Sequence, residues 1–221
     1  MSLGLARGRV WSLALACTVI AAAPLAAQGW NYPSFHHPHI MSREFNFALA
    51  DGGDFGTTLL FQWREGMGIG TEFNVDLGFA DPDFGDSRFL AGAGLARRLA
   101  AASPEMPLDL VLTAGIYGAF GDPNVLRLPI GLSVGHRFPL EGGIAITPYV
   151  HPRVSIDFCS NCFEVDDDTD LSINFDLGVD LELSRQLSLR FAALFAGGDL
   201  FGDEDGFGIS LAWKPAGLAP R

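Results

Sequence analysis

Lysine is almost missing from this chain: Lys214 is the one lysine among 14 basic residues, set against 26 acidic ones. A formal net charge of −12 with so few cations argues against nucleic acid as a partner, because displacing counterions from phosphates needs clustered Lys and Arg. Charge of either sign is sparse, at 18% of residues, while hydrophobic residues make up 48%. That balance excludes a disordered or purely solvating chain. Long uncharged runs are also lacking, since no stretch of 18 residues beyond residue 27 is free of charge. A helical membrane protein is therefore excluded. No segment after residue 27 sustains a 3.6-residue apolar period, and no nucleotide-binding motif is present.

What the chain does have is glycine (27), phenylalanine (18) and alternation. Its 221 residues suffice for one barrel or sandwich. The first 27 residues read as a secretory signal peptide: Arg7 and Arg9, an apolar stretch from Val10 to Ala23, then Pro24 and Leu25-Ala26-Ala27 before Gln28. Cleavage after Ala27 would remove Cys17 and leave Cys159 and Cys162. Residues 28–42, with Trp30, Tyr32 and Phe35, show no clean period and are expected to form a periplasmic N-terminal leader. Residues 43–214 form the expected barrel, and residues 215–221 a C-terminal tail.

From residue 43 onward apolar and polar residues alternate, which is the period of a half-buried strand. Ten strands are expected, with eight as the fallback: Arg43–Ala50, Thr57–Arg64, Met67–Phe79, Arg88–Leu99, Leu108–Phe120, Leu126–Phe138, Ile144–Asp157, Leu171–Leu183, Gln186–Ala196 and Phe207–Lys214. Turn residues separate them, among them Asp51-Gly52-Gly53, Glu65-Gly66 and Glu141-Gly142-Gly143.

The two faces of these strands differ in a way that decides between a soluble and a transmembrane barrel. One face is nearly free of charge, and on a lipid-facing surface a charge costs about 2–4 kcal/mol at mid-bilayer. The other carries the charges and many small residues, including Gly68, Gly70, Gly92, Gly94, Gly115, Gly131, Gly135 and Gly178. Small residues suit a narrow lumen and would weaken an exposed strand face. Aromatics lie near apolar strand ends (Phe45, Phe61, Trp63, Phe79, Phe89, Phe120, Phe138, Phe207, Trp213), where interfacial girdles belong. The expected fold is an all-β, antiparallel up-and-down transmembrane β-barrel.

Alternate connections carry fifteen of the 26 acids and no base, while the other connections are mostly shorter. Short turns on one side match the periplasmic side of outer-membrane barrels. Eight acids fall on the lumen face (Glu44, Glu72, Asp76, Asp109, Asp157, Asp176, Asp180, Glu182). Eight bases face them (Arg64, Arg88, Arg98, Arg127, Arg137, Arg153, Arg190, Lys214). Unpaired charges in so narrow a bore would be costly, so an ion-paired, largely plugged lumen is expected. The sharpest pairing is Asp176, Asp180 and Glu182 against Arg153 and Arg190.

In these strands, and in the terminal Gly208-Ile209-Ser210-Leu211-Ala212-Trp213, the chain resembles the small outer-membrane β-barrels of the OmpA-transmembrane-domain or opacity-protein kind. The last segment is similar to the C-terminal barrel-assembly signal of that family, although residues Lys214 to Arg221 follow it here. The resemblance implies outer-membrane localisation, contact with lipid and lipopolysaccharide, and assembly by the barrel-assembly machinery. A monomer is expected.

Candidate chemistry is thin. Cys159 and Cys162 are expected to form a small disulfide in an oxidising compartment. Glu164, Asp166, Asp167, Asp168 and Asp170 offer carboxylates to weakly held Ca²⁺ or Mg²⁺, with a solvated acidic loop as the plainer reading. His36-His37-Pro38-His39 offers imidazoles to a transition metal, with a flexible periplasmic leader as the plainer reading. No cofactor is expected. His136 and His151 have no evident Ser or Asp partner at the outer rim, so no enzyme is expected. The leading function is a structural or surface-interaction role. The alternatives are a narrow ion or small-solute channel, and a soluble secreted or periplasmic barrel that binds an apolar ligand.

Overall fold

The computed structural model describes residues 32–52, 56–82, 86–121, 124–160, 167–197 and 205–216. The expected signal peptide lies outside them, as do Cys162, Glu164 and Asp166. Ten long strands form one antiparallel sheet: β1 (Arg43–Asp51), β2 (Thr57–Gly68), β3 (Thr71–Asp81), β4 (Arg88–Ala100), β5 (Asp109–Phe120), β6 (Asn124–Gly135), β8 (Ala145–Ser160), β9 (Asp167–Glu182), β10 (Leu187–Gly197) and β11 (Gly206–Trp213). Between β6 and β8, a two-residue strand β7 (Phe138–Pro139) pairs with β8. Each long strand pairs with its neighbour in sequence. The sheet closes where β1 meets β11, from Phe45 opposite Trp213 to Asp51 opposite Phe207. Closure leaves no free edge, which is the condition for strands to cross a bilayer.

Alternation sets the two faces as the sequence predicts. Even residues of β1, β2, β3, β4, β9, β10 and β11 point inward, and odd residues of β5, β6 and β8 do so. Outside stand Phe47, Leu49, Leu59, Leu95, Ile116, Phe191, Phe207 and Leu211, with exposures from 44% to 66%. Inside, Glu44, Arg64, Glu72, Asp157, Asp176, Asp180 and Arg190 are fully buried. A soluble protein hides the first set and exposes the second; here the order is reversed, as a lipid solvent requires. The outward aromatics pack across strands: Phe45 stacks 5.6 Å from Trp213 and 6.3 Å from Phe61 by ring centroid, and Trp63 meets Phe73 edge-on at 5.1 Å.

Two boundaries differ from the sequence reading. Glu65-Gly66 is not a turn: β2 runs on to Gly68, with a register shift between Gly66 and Gly68, and the chain reverses at Ile69-Gly70. Gly68 and Gly70 hold φ of 130° and 68°, the positive region that glycine enters without a Cβ clash. At the other end of the barrel, β8 and β9 extend to Ser160 and from Asp167, so Asp167, Asp168 and Asp170 belong to a strand and not to a loop.

Two glycines in the wall have a steric reason. A Cβ on Gly92 would lie 2.0 Å from the Tyr117 ring, and one on Gly178 would lie 2.1 Å from the Tyr149 ring. Each tyrosine lies flat against the wall in the space that a glycine leaves, so ring and glycine together fill the bore. Gly178→Ala should therefore overpack the lumen and cost about 1–3 kcal/mol. Denaturant titration of the detergent-folded barrel measures it, and an unchanged midpoint would contradict this packing.

Candidate functional site

Among the described residues, buried polar chemistry concentrates in the interior of the barrel, and the segment that leads into β1 occupies it. From Ser42 at the end with the short turns, the segment runs back up the bore to Tyr32. Tyr32, Ser34, Phe35, His36 and His37 are buried; the half-buried His39, Ile40 and Met41 lie nearer the rim. For residues 32–42 this replaces the expected flexible periplasmic leader; residues 28–31 lie outside the described residues. The segment suits its place. Pro33 and Pro38 lack backbone N–H groups that would otherwise need partners inside the bore. Two tight i to i+2 bonds, from His37 N to Phe35 O (3.2 Å) and from His39 N to His37 O (2.8 Å), shorten the run between them.

The strands hold the segment by its main chain and its side chains. Ser34 N donates to Asp176 Oδ1 (2.9 Å), and Tyr149 Oη donates to Ser34 O (3.0 Å). Ser133 Oγ donates to His36 O (2.7 Å), Arg64 Nη2 to His39 O (3.2 Å), and Met41 N donates to Glu72 Oε2 (2.6 Å). Arg64 Nη1 also donates to His37 Nδ1 (3.0 Å). A guanidinium has no acceptor, so that ring nitrogen carries no proton. His36 Nε2 lies 3.3 Å from the Gln62 amide nitrogen, which also donates to Asp76 Oδ2 (3.1 Å). Phe35 sits against Gly208, where a Cβ would come within 2.8 Å of the Phe35 Cζ. It joins an apolar cluster of Tyr32, Ala48, Ala50, Leu60, Leu90, Ala119, Val125, Cys159 and Ala192.

Beneath the segment runs a chain of five charges. Arg64 Nε donates to Glu72 Oε1 (2.6 Å), and Arg64 Nη1 lies 3.4 Å from Glu44 Oε1. Arg190 grips both oxygens of the same Glu44 carboxylate at 2.7 Å and reaches Asp180 Oδ1 through Nε at 2.7 Å. Glu72, Arg64, Glu44, Arg190 and Asp180 thus link β3, β2, β1, β10 and β9 across the seam where the barrel closes. The intervening β11 points only Gly206, Gly208, Ser210 and Ala212 inward, which leaves room for Arg190 to reach β1. Paired guanidiniums and carboxylates of this kind offset a desolvation cost that isolated charges would not survive.

The remaining lumen residues divide. Arg153 pairs bidentately with Asp176 (2.7 and 2.8 Å), as expected. Arg137 pairs with Glu182 (2.8 and 2.9 Å) at the turn end. Arg127 pairs with Asp157, which Ser172 also contacts. Other expected pairs do not form as such. Asp76 is bonded by Gln62 and by Asn74 (2.7 Å), both neutral. Asp109 accepts from Ala102 N (2.9 Å) and lies 3.4 Å from His39 Nε2. Arg98 is exposed at the rim and makes no ion pair among the described residues; Arg88 lies at the opposite end of the same strand.

Two further sequence readings meet the structure here. Cys159 is disulfide-bonded. Of the acidic cluster, Asp170 is on β9, and no group of three His, Cys, Asp or Glu residues suited to a metal ion occurs among the described residues. His151 has the serine partner that the sequence did not reveal: Ser34 Oγ is 2.7 Å from His151 Nδ1. The other ring nitrogen meets Thr113 Oγ1 at 2.8 Å. No carboxylate orients the ring, and the pair is enclosed, so the contact fits anchoring of the segment and lacks the third member of a hydrolytic triad.

Arg190→Met removes the link between Glu44 and Asp180, leaving Asp180 without its cation and Glu44 with Arg64 alone. It should cost about 3–5 kcal/mol of barrel stability. Adding Glu44→Gln should return part of that loss, because fewer buried charges are left unpaired. A double-mutant cycle by denaturant titration in detergent reads the coupling; additive losses would contradict the shared network.

No family model matches the chain, and no curated protein matches it. Solved structures do. The crystal structure of the beta domain of the Bordetella autotransporter BrkA superposes with a TM-score of 0.50 at 12% identity, covering 78% of this chain and 98% of that one. A bacterial polysaccharide outer membrane secretin gives 0.47 at 10% identity, over 72% of this chain and 56% of that one. A loop-deletion variant of OmpT, an outer membrane protein of Vibrio cholerae, gives 0.25 at 8% identity, over 77% and 97%. The chain has the fold of an outer-membrane β-barrel: all-β, antiparallel and closed by ten strands.

Proposed function

We propose that this protein is exported through a cleaved signal peptide and resides in the outer membrane as a closed barrel. Its role there is structural or surface-interacting and not that of an open channel. The observation that carries this reading is the occupied lumen: residues 32–42 fill the bore and are bonded to strands on several sides. The lipid-type outer face supports the location. The same face weighs against a soluble apolar-ligand barrel, whose apolar side would point inward around a cavity. An interior cavity among Tyr32, His36, Asp76, Thr113, Tyr117, His151 and Arg153 measures about 40 Å³, roughly the space of a water molecule. The buried charges are paired with one another and with the segment, which supports a stabilising use over a catalytic one. Lipid and lipopolysaccharide are the proposed surroundings, and the barrel-assembly machinery is the proposed route of insertion.

Planar-bilayer recording tests the closed bore. The folded full chain should insert without unit conductance steps. Regular open-channel steps from the unaltered protein would overturn this reading in favour of a narrow channel. Fractionation of the mature protein into the soluble phase without detergent would overturn the membrane location.

A further inference from the structure

Among the described residues, the segment in the bore joins the barrel covalently where Ser42 leads into β1. Everything else that holds it is non-covalent, and much of that is directed at its main chain. Asp176, Tyr149, Ser133, Arg64 and Glu72, from five different strands, contact Ser34 N, Ser34 O, His36 O, His39 O and Met41 N in turn. Main-chain hydrogen bonds are how peptide-binding proteins gain affinity for a chain, with side-chain seats adding selectivity. Two such seats are present. Phe35 packs against Gly208, and Arg64 needs an unprotonated ring acceptor, which His37 Nδ1 supplies.

We propose that the lumen is a polypeptide-binding site that its own residues 32–42 occupy in cis. Its ligand class is a short peptide that takes the same two tight turns, with an aromatic residue at the Gly208 seat and a neutral imidazole acceptor two positions later. The inference rests on the reading of a bore closed by this segment and deepens it. The tether gives the cis segment a high effective concentration, of order millimolar for a short connection. A free peptide of the same sequence competes poorly until that tether is cut.

The test uses the full chain with a protease site inserted between Ile40 and Met41, cleaved after the barrel has folded in detergent. The released-or-retained fragment is followed by size exclusion. Exchange is followed with a fluorescent synthetic peptide of residues 28–40. Retention of the fragment on the folded barrel is expected, together with slow saturable exchange for the labelled peptide and no binding of a scrambled one. Tyr149→Phe and Ser133→Ala each remove one bond to the segment and should each shorten its residence roughly fivefold. Three results would overturn the proposal: immediate loss of the fragment from a still heat-modifiable barrel with no peptide uptake; equal binding of the scrambled peptide; or collapse of the barrel on cleavage, which would make the segment a strut of the fold. A second variant with the site between Ser42 and Arg43 gives the same readouts if the first does not fold. Failure here with a silent full chain in planar bilayers leaves the closed-bore reading standing, so the two ideas fail separately.

Discussion

The Glu44 carboxylate, shared between Arg64 and Arg190, is the interaction on which the interior depends. A barrel must bring its first and last strands together, and charge crosses that seam through Glu44 on β1 and Arg190 on β10. Arg64 then spends its other donors on the N-terminal segment, through His37 Nδ1 and His39 O. Closure of the wall and filling of the bore are therefore coupled through one carboxylate and two guanidiniums. With the segment absent, Arg64 would keep its carboxylates and lose two buried acceptors, which is costly in a medium of low dielectric.

The packing follows from the same constraint. A ten-strand bore is too narrow for bulk water and too wide to be filled by strand side chains alone when many of these are glycine. The glycines make sense once the segment and the tyrosines are in place. Tyr117 lies over Gly92 and Tyr149 over Gly178, and Phe35 rests on Gly208. The outer surface needs no such fitting, because lipid conforms to it; there alternation of large apolar and aromatic residues is sufficient.

This division explains what could be read from the sequence. Strand faces were legible throughout, because period 2 is a local signal and lipid enforces it residue by residue. Arg153 with Asp176, and Arg190 with Asp180, were legible because they lie on adjacent strands joined by hairpins. Glu44 with Arg190 was not: the two are 146 residues apart, and their meeting depends on barrel closure across an intervening strand of small residues. The turn at Ile69-Gly70 was missed because Glu65-Gly66 looks equally turn-like in isolation, and only register with β3 settles it. The fate of residues 32–42 left no periodic trace. Two prolines and three histidines in a short aperiodic run look like a leader, and only the three-dimensional supply of partners from the strands reveals an inward course. The glycine-rich lumen face, read as evidence of narrowness, was also evidence of an occupant.

The central claim is that residues 32–42 lie inside the closed barrel and against its wall. Nuclear Overhauser contacts in the detergent-folded, isotopically labelled full chain address it without any substitution. Cross-peaks between the Phe35 ring protons and the α-protons of Gly208 are predicted, because the ring sits where a Cβ on Gly208 would stand. A folded barrel whose Phe35 ring shows contacts to solvent or detergent and none to any strand would contradict the account.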